Sequence, residues 1–508
     1  MLPISKSTFL QFQICPKDTW LRLHKPELVE TFTPSEFDLH LMEQGSEVEV
    51  AARQLFPGAA LVAVTGDAAV EETRRLMAGG ADAVFQATFL ADGFFAKCDV
   101  LKRGVAAGTW DVFEIKGTNS LKEGSEDRDH ISDLTFQKLV LTLAGVTVGR
   151  TNIVHLNNKY KRAGDLDIQA LFTVSDSTEK VDAISPGLLD EMYSAREYLN
   201  KTAEPKFGCD CHLSGRSRHC RTFAYSHPEM PAYSVHDIVR IGLSKKKLKH
   251  FMDEKIFAID DVPDDYELGK AQVLQVQAHK TQKPIVDRNA ISGMLRSYTF
   301  PLHFFDYEAY APAIPAFDGF GPYTKIPFQF SLHILRDAES EPEHVEFLHL
   351  NRTDPTREMA ELLERHIDPK GSFIVWHATF ERGVNTAIGE RMGAYAVLMQ
   401  RINGQIQDLR DIFAKLHYVH PGFRGGTSIK DVLPVLVDNK KLSYDNLVIK
   451  EGATASEQWW KMTDPEMPDA ERQAIADALR VYCKRDSYAM YAIWRKLQEI
   501  IEPISLNA

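Results

Sequence analysis

Two carboxylates stand at alternate positions of one apolar run, Phe304-Phe305-Asp306-Tyr307-Glu308, and no other feature restricts the fold as much. Such a run reads as a strand, in which residues two apart project from the same face. Asp306 and Glu308 therefore share one face of a strand whose remaining residues belong in a core. Like charges side by side in apolar surroundings are costly unless a cation offsets them, which makes a metal site the economical reading. Near the other end, Tyr482-Cys483-Lys484-Arg485-Asp486 falls in a strongly helical segment. Residues four apart share a helix face, so Tyr482 and Asp486 point into one site. Between them, Trp376-His377-Ala378-Thr379-Phe380-Glu381 reads as a strand end running into a helix, followed by Asp408-Leu409-Arg410-Asp411. The bland alternative is a set of ordinary strand and helix acids.

A second acidic pattern lies far upstream. Asp99 sits in Lys97-Cys98-Asp99-Val100-Leu101, followed by Asp111-Val112-Phe113-Glu114-Ile115-Lys116-Gly117 and by Gln137 on the next helix. Glu114 and Lys116 share one strand face, with Ile115 turned to the core. With Asp99 on a neighbouring strand, two carboxylates and an ammonium converge, as phosphodiester hydrolysis requires: acids to hold a cation, and positive charge near the developing anion. A surface salt bridge on two strands is the bland alternative.

A chain of 508 residues exceeds what a single core sustains, about 250 to 300 residues. The expected organisation is a domain over 1–225, a partly helical connector over 226–298 and a domain over 299–508. In the first, a helix over Phe37–Phe56 precedes strands over Ala83–Leu90, Phe94–Lys102 and Trp110–Lys116, a helix over Leu134–Ala144 and a strand over Arg150–Leu156. The last restarts with strands Leu302–Tyr307, Phe328–Leu335 and Val345–Leu350, a helix Thr356–His366, a strand Ser372–Trp376 and a helix from Phe380. The fold class expected is α/β in both.

A hydrophobic share of 44% with 26% charged residues excludes a disordered chain. No run of about 18 apolar residues is present, so no membrane span is expected. Polar residues interrupt Met1–Leu23, which does not read as a secretory signal, and a cytoplasmic location is expected. A formal net charge of −12 argues against a surface coated in positive potential. It leaves room for a nuclease, because metal-binding acids add negative charge at the site and phosphate contacts need only local basic patches. Lys245, Lys246, Lys247 and Lys249 form one such patch in the connector, and Arg216, Arg218 and Arg221 another; a solvated face is the plainer reading of either.

The order helix, Asp99 strand, Glu114-x-Lys116 strand and Gln137 helix resembles the PD-(D/E)XK nucleases, in particular the RecB-like branch that includes the iron–sulfur CRISPR adaptation nuclease. The resemblance covers about the first 220 residues. It implies a restriction-endonuclease-like fold, metal binding by Asp99 and Glu114, and catalysis by Lys116 with Gln137 as the motif on the following helix. Leu141 stands where that branch usually has an aromatic residue, and Glu49 of Gly45-Ser46-Glu47-Val48-Glu49 falls where it usually offers a metal-binding His. A Glu at that position still ligates a hard cation.

In that branch one early and three late cysteines bind a cluster, and here Cys15, Cys209, Cys211 and Cys220 supply that count and order. Four thiolates are what a [4Fe-4S] cluster demands. The late Cys-x-Cys followed by eight residues and Cys departs from the branch's usual spacing. His212 and His219 keep a tetrahedral Zn²⁺ site open, and free buried cysteines are a third reading. Cys98 and Cys483 read as core thiols.

The second half resembles the DEDD exonucleases of the ribonuclease H-like fold, over about residues 300 to 500, in the subtype with Tyr four residues before the last Asp. The resemblance implies Asp306, Glu308 and Asp486 as ligands of Mg²⁺ or Mn²⁺ and Tyr482 as the residue that orients the attacking water. Where that family has Asn and Asp, this chain has His377 and Glu381; Glu381 is taken as the remaining ligand, with Asp408 in reserve. Gly425-Gly426-Thr427-Ser428-Ile429-Lys430-Asp431-Val432-Leu433-Pro434 is similar to a segment of an uncharacterised bacterial family that joins these two nuclease types. The expectation is a metal-dependent nuclease, exonucleolytic in kind, with two separate sites acting on nucleic acid, DNA before RNA. The rival is a nucleic-acid-binding scaffold in which one or both sites are inactive.

Overall fold

The computed structural model describes residues 3–31, 33–121 and 129–501. The chain divides into two compact units, both α/β. Unit 1 comprises Met1–Leu213, Ser217–Glu229 and Pro312–Tyr323; unit 2 comprises Ser214–Arg216, Met230–Ala311 and Thr324–Ala508. The segment read from sequence as a connector thus clusters with the second half. Its own core holds Val235, Ile238, Ile241, Leu248, Phe251, Ile259, Val262 and Val276. Pro312–Tyr323, read as part of the second half, packs in unit 1, where the Arg162 guanidinium donates to the Pro315 and Ala316 carbonyls at 3.1 and 2.9 Å. No helix among the described residues is long and apolar enough to cross a membrane.

Unit 1 is built on strands β1 (Ile4–Ser5), β2 (Ala60–Leu61), β3 (Ala83–Ala91), β4 (Phe94–Arg103), β5 (Trp110–Lys116), β6 (Val148–Leu156) and β7 (Phe172–Asp176). They form one seven-stranded mixed sheet in the order β2-β3-β4-β5-β6-β7, with β1 also on β4. Its helices are α1 (Lys6–Ile14), α2 (Pro16–His24), α3 (Glu36–Arg53), α4 (Asp67–Ala78), α5 (His130–Leu143) and α6 (Thr178–Leu199). The detail that positions the site is how β1 and β5 share an edge of β4. β5 pairs with Val100–Arg103, running antiparallel, and β1 pairs with Phe94 and Phe95, running parallel. The edge between them, including Asp99, has no strand partner among the described residues, and the ends of β1 and β5 converge there. Asp99 uses the gap: its Oδ2 accepts the Ile115 N–H at 2.8 Å, just past the last pair of the ladder, Val100 with Phe113.

In unit 2 the strands are β8 (Ile285–Val286), β9 (Leu302–Tyr310), β10 (Ile326–Leu335), β11 (Glu343–Leu348), β12 (Ser372–Val375), β13 (Ile406–Asp408) and β14 (Tyr418–Val419). Five of them make a mixed sheet in the order β11-β10-β9-β12-β13, and β14 pairs with β8. The helices used below are α7 (Lys245–Asp253), α8 (Lys270–Thr281), α9 (Arg288–Arg296), α10 (Thr356–His366), α11 (Ala378–Arg391), α12 (Ala396–Gln405), α13 (Ile429–Leu436), α14 (Gly452–Met462) and α15 (Asp469–Ile501). β9 is central and covered on both faces. Phe305 and Tyr307 pack into a core with Leu363, Val384, Ile388 and Ile402 of α10, α11 and α12. Phe304 on the opposite face meets Tyr491 and Trp494 of α15 edge-on or tilted, at 5.7 and 5.9 Å. Asp306 and Glu308 share that face, toward α15, as the alternation of a strand demands.

Phe136 of α5 is fully buried, stacking on Phe9 at 5.3 Å and meeting Phe94 edge-on at 6.2 Å. Phe136→Ala should lower the stability of unit 1 by about 3–5 kcal/mol through the cavity it leaves, read as a shifted transition in a urea titration followed by circular dichroism.

Candidate active sites and cysteine centre

In unit 2, oxygens of Asp306, Glu308 and Asp486 lie within 4.8 Å of one another. The strand contributes two of these acids, and α15 brings Asp486 and, one turn earlier, Tyr482. Burial first, and then the neighbouring carboxylates, push Asp306 and Glu308 well above the usual carboxylate range. Asp486 is pushed up to about 6, mainly by burial, while Tyr444, Lys430 and Tyr482 pull the other way. The Tyr444 hydroxyl donates to Asp486 Oδ1. Its ring lies 6.3 Å from that of Tyr482. Gly452, at the start of α14, comes so close that an added Cβ would sit 3.3 Å from Glu308 Oε2.

Glu381 stands outside this group of three but within its field: it figures among the charges that raise Asp306 and Glu308. It is 2% exposed, its Oε2 has no hydrogen-bond partner among the described residues, and burial pushes it up to about 8. Asp408, the reserve acid, is engaged instead with backbone: it accepts the N–H groups of His377, Ala378 and Arg410 at 3.2, 2.9 and 3.1 Å. A compact set of hard oxygen donors together with an orphaned buried carboxylate oxygen fits a divalent cation of the Mg²⁺ type. A cavity of about 430 Å³ opens against Tyr444, with Lys430, Lys440 and Lys450 around it.

In unit 1 the residues named from sequence meet, but among more company. Glu114 Oε1 accepts from Lys116 at 2.8 Å and from Lys6 at 2.7 Å, and Gln137 donates to Oε2 at 2.6 Å. Asp133 of α5 takes both ammonium groups as well, Lys6 at 3.1 Å. Burial alone would raise Glu114, but Lys116 and Lys6 outweigh it and hold the carboxyl below its usual range. Asp99 is driven well above its usual range, by burial and then by Glu114. Glu49 is held by Arg53 at 2.7 Å and by the Gln86 amide at 2.5 Å and adds its charge to those that raise Asp99, but no group of three acids with oxygens within 4.8 Å forms here among the described residues. Gln137 Oε1 is buried without a partner among the described residues, so an orphaned acceptor beside Asp99 and Glu114 makes room for a hard cation. A cavity of about 640 Å³ lies alongside, lined by Ile14, Leu41, Lys116, Asp133 and Tyr323, the last donating its hydroxyl to the Gly117 carbonyl.

Cys15, Cys209, Cys211 and Cys220 place their sulfurs within 4.8 Å of one another, with Cys209 and Cys220 3.8 Å apart. Neither His212 nor His219 belongs to this group. His212 bonds the Cys209 carbonyl at 3.2 Å and His219 stacks on Phe223 at 3.5 Å. Four converging thiols fit either an iron–sulfur cluster or Zn²⁺. Cys98 and Cys483 are buried, and Cys483 points its thiol at Asp306 Oδ2 at 3.8 Å. Of the basic stretch, Lys245, Lys246 and Lys249 are exposed on α7, Lys247 is half-buried, and Lys249 pairs with Asp253 at 3.0 Å. Arg216 forms an ion pair with Asp237.

Sequence reasoning missed Lys6, Asp133, Tyr323 and Tyr444, and gave no role to Lys430 although it lies in the Gly425–Pro434 segment singled out above. Lys6 carried a local signal, as a Lys in the short polar approach to Cys15; Asp133, Tyr323 and Tyr444 depend on which segments the fold brings together.

Residues 303–428, roughly a quarter of the chain, match the model of a family described as a domain of unknown function (DUF2779). The span holds Asp306, Glu308, Glu381 and Asp408 and stops short of Tyr444, Tyr482 and Asp486. The chain is similar to an uncharacterized protein of Ureaplasma parvum serovar 3, 24% identical over 301 residues, 54% of this chain and 42% of the relative. It is also similar to uncharacterized proteins of Mycoplasma pneumoniae, 26% identical over 44% of the chain and 36% of the relative, and of Mycoplasma genitalium, 25% identical over 61% and 47%. The matches thus span less than half the length of each relative.

Two outcomes are expected. Protein purified without oxygen should contain iron and sulfide, or stoichiometric zinc, and Cys211→Ser should lose it; finding no metal in the anaerobic protein would count against a thiolate centre. Glu381 titrates from an ordinary 4.5 to about 8 on folding, so the stability it contributes is present below about pH 4.5 and lost as pH rises through about 8. In chelator, Glu381→Gln should therefore flatten the fall in melting temperature between pH 5 and 8.5, and an unchanged slope would mean that Glu381 carries none of it.

Proposed function

We propose that the chain is a metal-dependent nuclease with two separate sites, hydrolysing phosphodiester bonds of DNA or RNA. The observation that carries this reading is the convergence of Asp306, Glu308 and Asp486 in unit 2. Three half-buried or buried carboxylates facing one point are a liability in a structural role and an asset for binding divalent cations. Such cations supply polarisation of the phosphoryl group and stabilise the attacking and leaving oxygens. The chain's own residues do the rest. Tyr482, hydrogen-bonded to Asp486, would position a water at the acids, and Glu381 supplies a further carboxylate. Lys430, whose charge acts on both Glu308 and Asp486, would meet a substrate phosphate. A central strand bearing two acids and a late helix bearing Tyr482 and Asp486 support the ribonuclease H-like, DEDD-type reading of unit 2.

For unit 1, the meeting of Asp99, Glu114, Lys116 and Gln137 on adjoining strands and a helix supports the RecB-like PD-(D/E)XK reading. Asp99 and Glu114 would hold a cation, and the Lys116 ammonium would stabilise charge developing on the phosphoryl group. One observation favours the second reading, a nucleic-acid-binding scaffold whose first site is inert: Glu49 is already engaged by Arg53 and Gln86.

End-labelled DNA and RNA, with Mg²⁺ or Mn²⁺, test the proposal. Asp306→Asn should abolish trimming of ends and weaken Mn²⁺ binding in calorimetry without unfolding the chain. Lys116→Ala should cost about 10²–10³ in the rate of the other class of product, by analogy with other charge-stabilising donors. Tyr482→Phe should impair only trimming. Unimpaired cleavage in Asp306→Asn combined with Lys116→Ala would rule out both sites.

A further inference from the structure

Lys6 is the first residue of α1 and Cys15 is the residue that ends it, so a single helix runs from the Glu114 site to the cysteine centre. Nine residues of α-helix make a rod roughly 13 Å long. Both ends and the middle are fixed. At the far end the Cys15 N–H donates to the Gln11 carbonyl at 2.9 Å, and the Cys15 sulfur accepts the Asp18 N–H at 3.4 Å. Asp18, fully buried, accepts the N–H and hydroxyl of Thr222 at 3.2 and 2.9 Å, two residues beyond Cys220. In the middle, Phe9 stacks on Phe136 of α5, the helix that carries Asp133 and Gln137. At the near end, Lys6 follows directly on β1 and reaches Glu114 and Asp133.

Lys116 stands on the same strand as Glu114 and keeps its place through β5. Lys6 lies outside any strand, at the start of α1 directly after the two-residue β1, so its position depends on α1 as well as on β1. A divalent cation held by Asp99 and Glu114 would seek the oxygen that the Lys6 ammonium already occupies, and the two positive charges oppose each other at short range.

We propose that Lys6 is a positioning residue that couples the cysteine centre to the Glu114 site. A loaded centre holds α1, and α1 holds the Lys6 ammonium against Glu114 and Asp133, where it opposes a divalent cation; emptying the centre withdraws it. The inference rests on the reading of the Glu114 site as a cation site.

The test is Mn²⁺ calorimetry on the full chain carrying Asp306→Asn and Asp486→Asn, so that the remaining heat reports unit 1. Loss of that heat in Glu114→Gln assigns it to this site. Lys6→Ala should bind Mn²⁺ about tenfold tighter, within the five- to 150-fold range usual for coupled sites, while Lys6→Arg should bind as the parent does. Cys211→Ser should tighten binding in the parent and add nothing to Lys6→Ala, the non-additivity expected of one shared route. Unchanged affinity in Lys6→Ala overturns the proposal, and that arm decides even if Cys211→Ser fails to fold. Additive effects of the two substitutions overturn the coupling. Absence of any Mn²⁺ heat from the parent would instead remove the cation reading of the Glu114 site, and the inference with it.

Discussion

A carboxylate taken out of water has to be met by opposite charge, by hydrogen-bond donors or by a proton, and the two units meet this demand in different ways. In unit 1, Glu114 is met by two ammonium groups and an amide, and its carboxyl is held below the usual range. Glu114 keeps its charge at any ordinary pH, while Asp99 beside it is driven the other way. In unit 2 the Cys483 thiol faces Asp306 and the Lys430 charge acts on Glu308, yet both acids are pushed well above the usual range, with Asp486 at about 6. A divalent cation bound there, as proposed, would compete with protons for the same oxygens. The Tyr444 hydroxyl on Asp486 is a neutral donor that lowers its demand, and Tyr482 acts in the same direction.

What could be read from the sequence is what local periodicity controls. Alternation on β9 put Asp306 and Glu308 on one face, and alternation on β5 did the same for Glu114 and Lys116. The four-residue helical spacing paired Tyr482 with Asp486. The other partners arrive from far away along the chain. Lys6 reaches Glu114 across 108 positions, Tyr444 reaches Asp486 across 42 and Tyr323 reaches Gly117 across 206. No periodicity links such residues, because the sheet edge shared by β1 and β5, or the return of Pro312–Tyr323 to unit 1, exists only once the strands are ordered. That the connector carries a core of its own was not legible for a related reason: a charged helix such as α7 buries Leu248 and Phe251 alone, so its contribution to a core is thin in sequence.

Two backbone positions show how the sites are set by features that residue type does not announce. Gln86 has φ +57° and His377 φ +89°, in the left-handed region that glycine would signal and these residues do not. Gln86 is skipped in the β3–β4 register, between the pairs Phe85–Val100 and Ala87–Cys98, and its amide engages Glu49. The position expected to supply a ligand is thereby engaged by Arg53 and Gln86, although its charge still helps raise Asp99. A strained residue of this kind persists where the surroundings over-determine it.

At His377 the surroundings are Asp408, and this bears on which acid completes the second site. Asp408 accepts the N–H groups of His377 and Ala378, where α11 begins with its backbone donors exposed, and that of Arg410. A carboxylate at a helix start is favoured by the helix dipole as well as by these bonds, so Asp408 is spent on holding the strained turn. Its charge also helps raise Glu381, one helical turn into α11. The two acids therefore divide the work: Asp408 fixes the turn that aims the helix, and Glu381, with an oxygen left unpartnered among the described residues, is the one free to meet a cation.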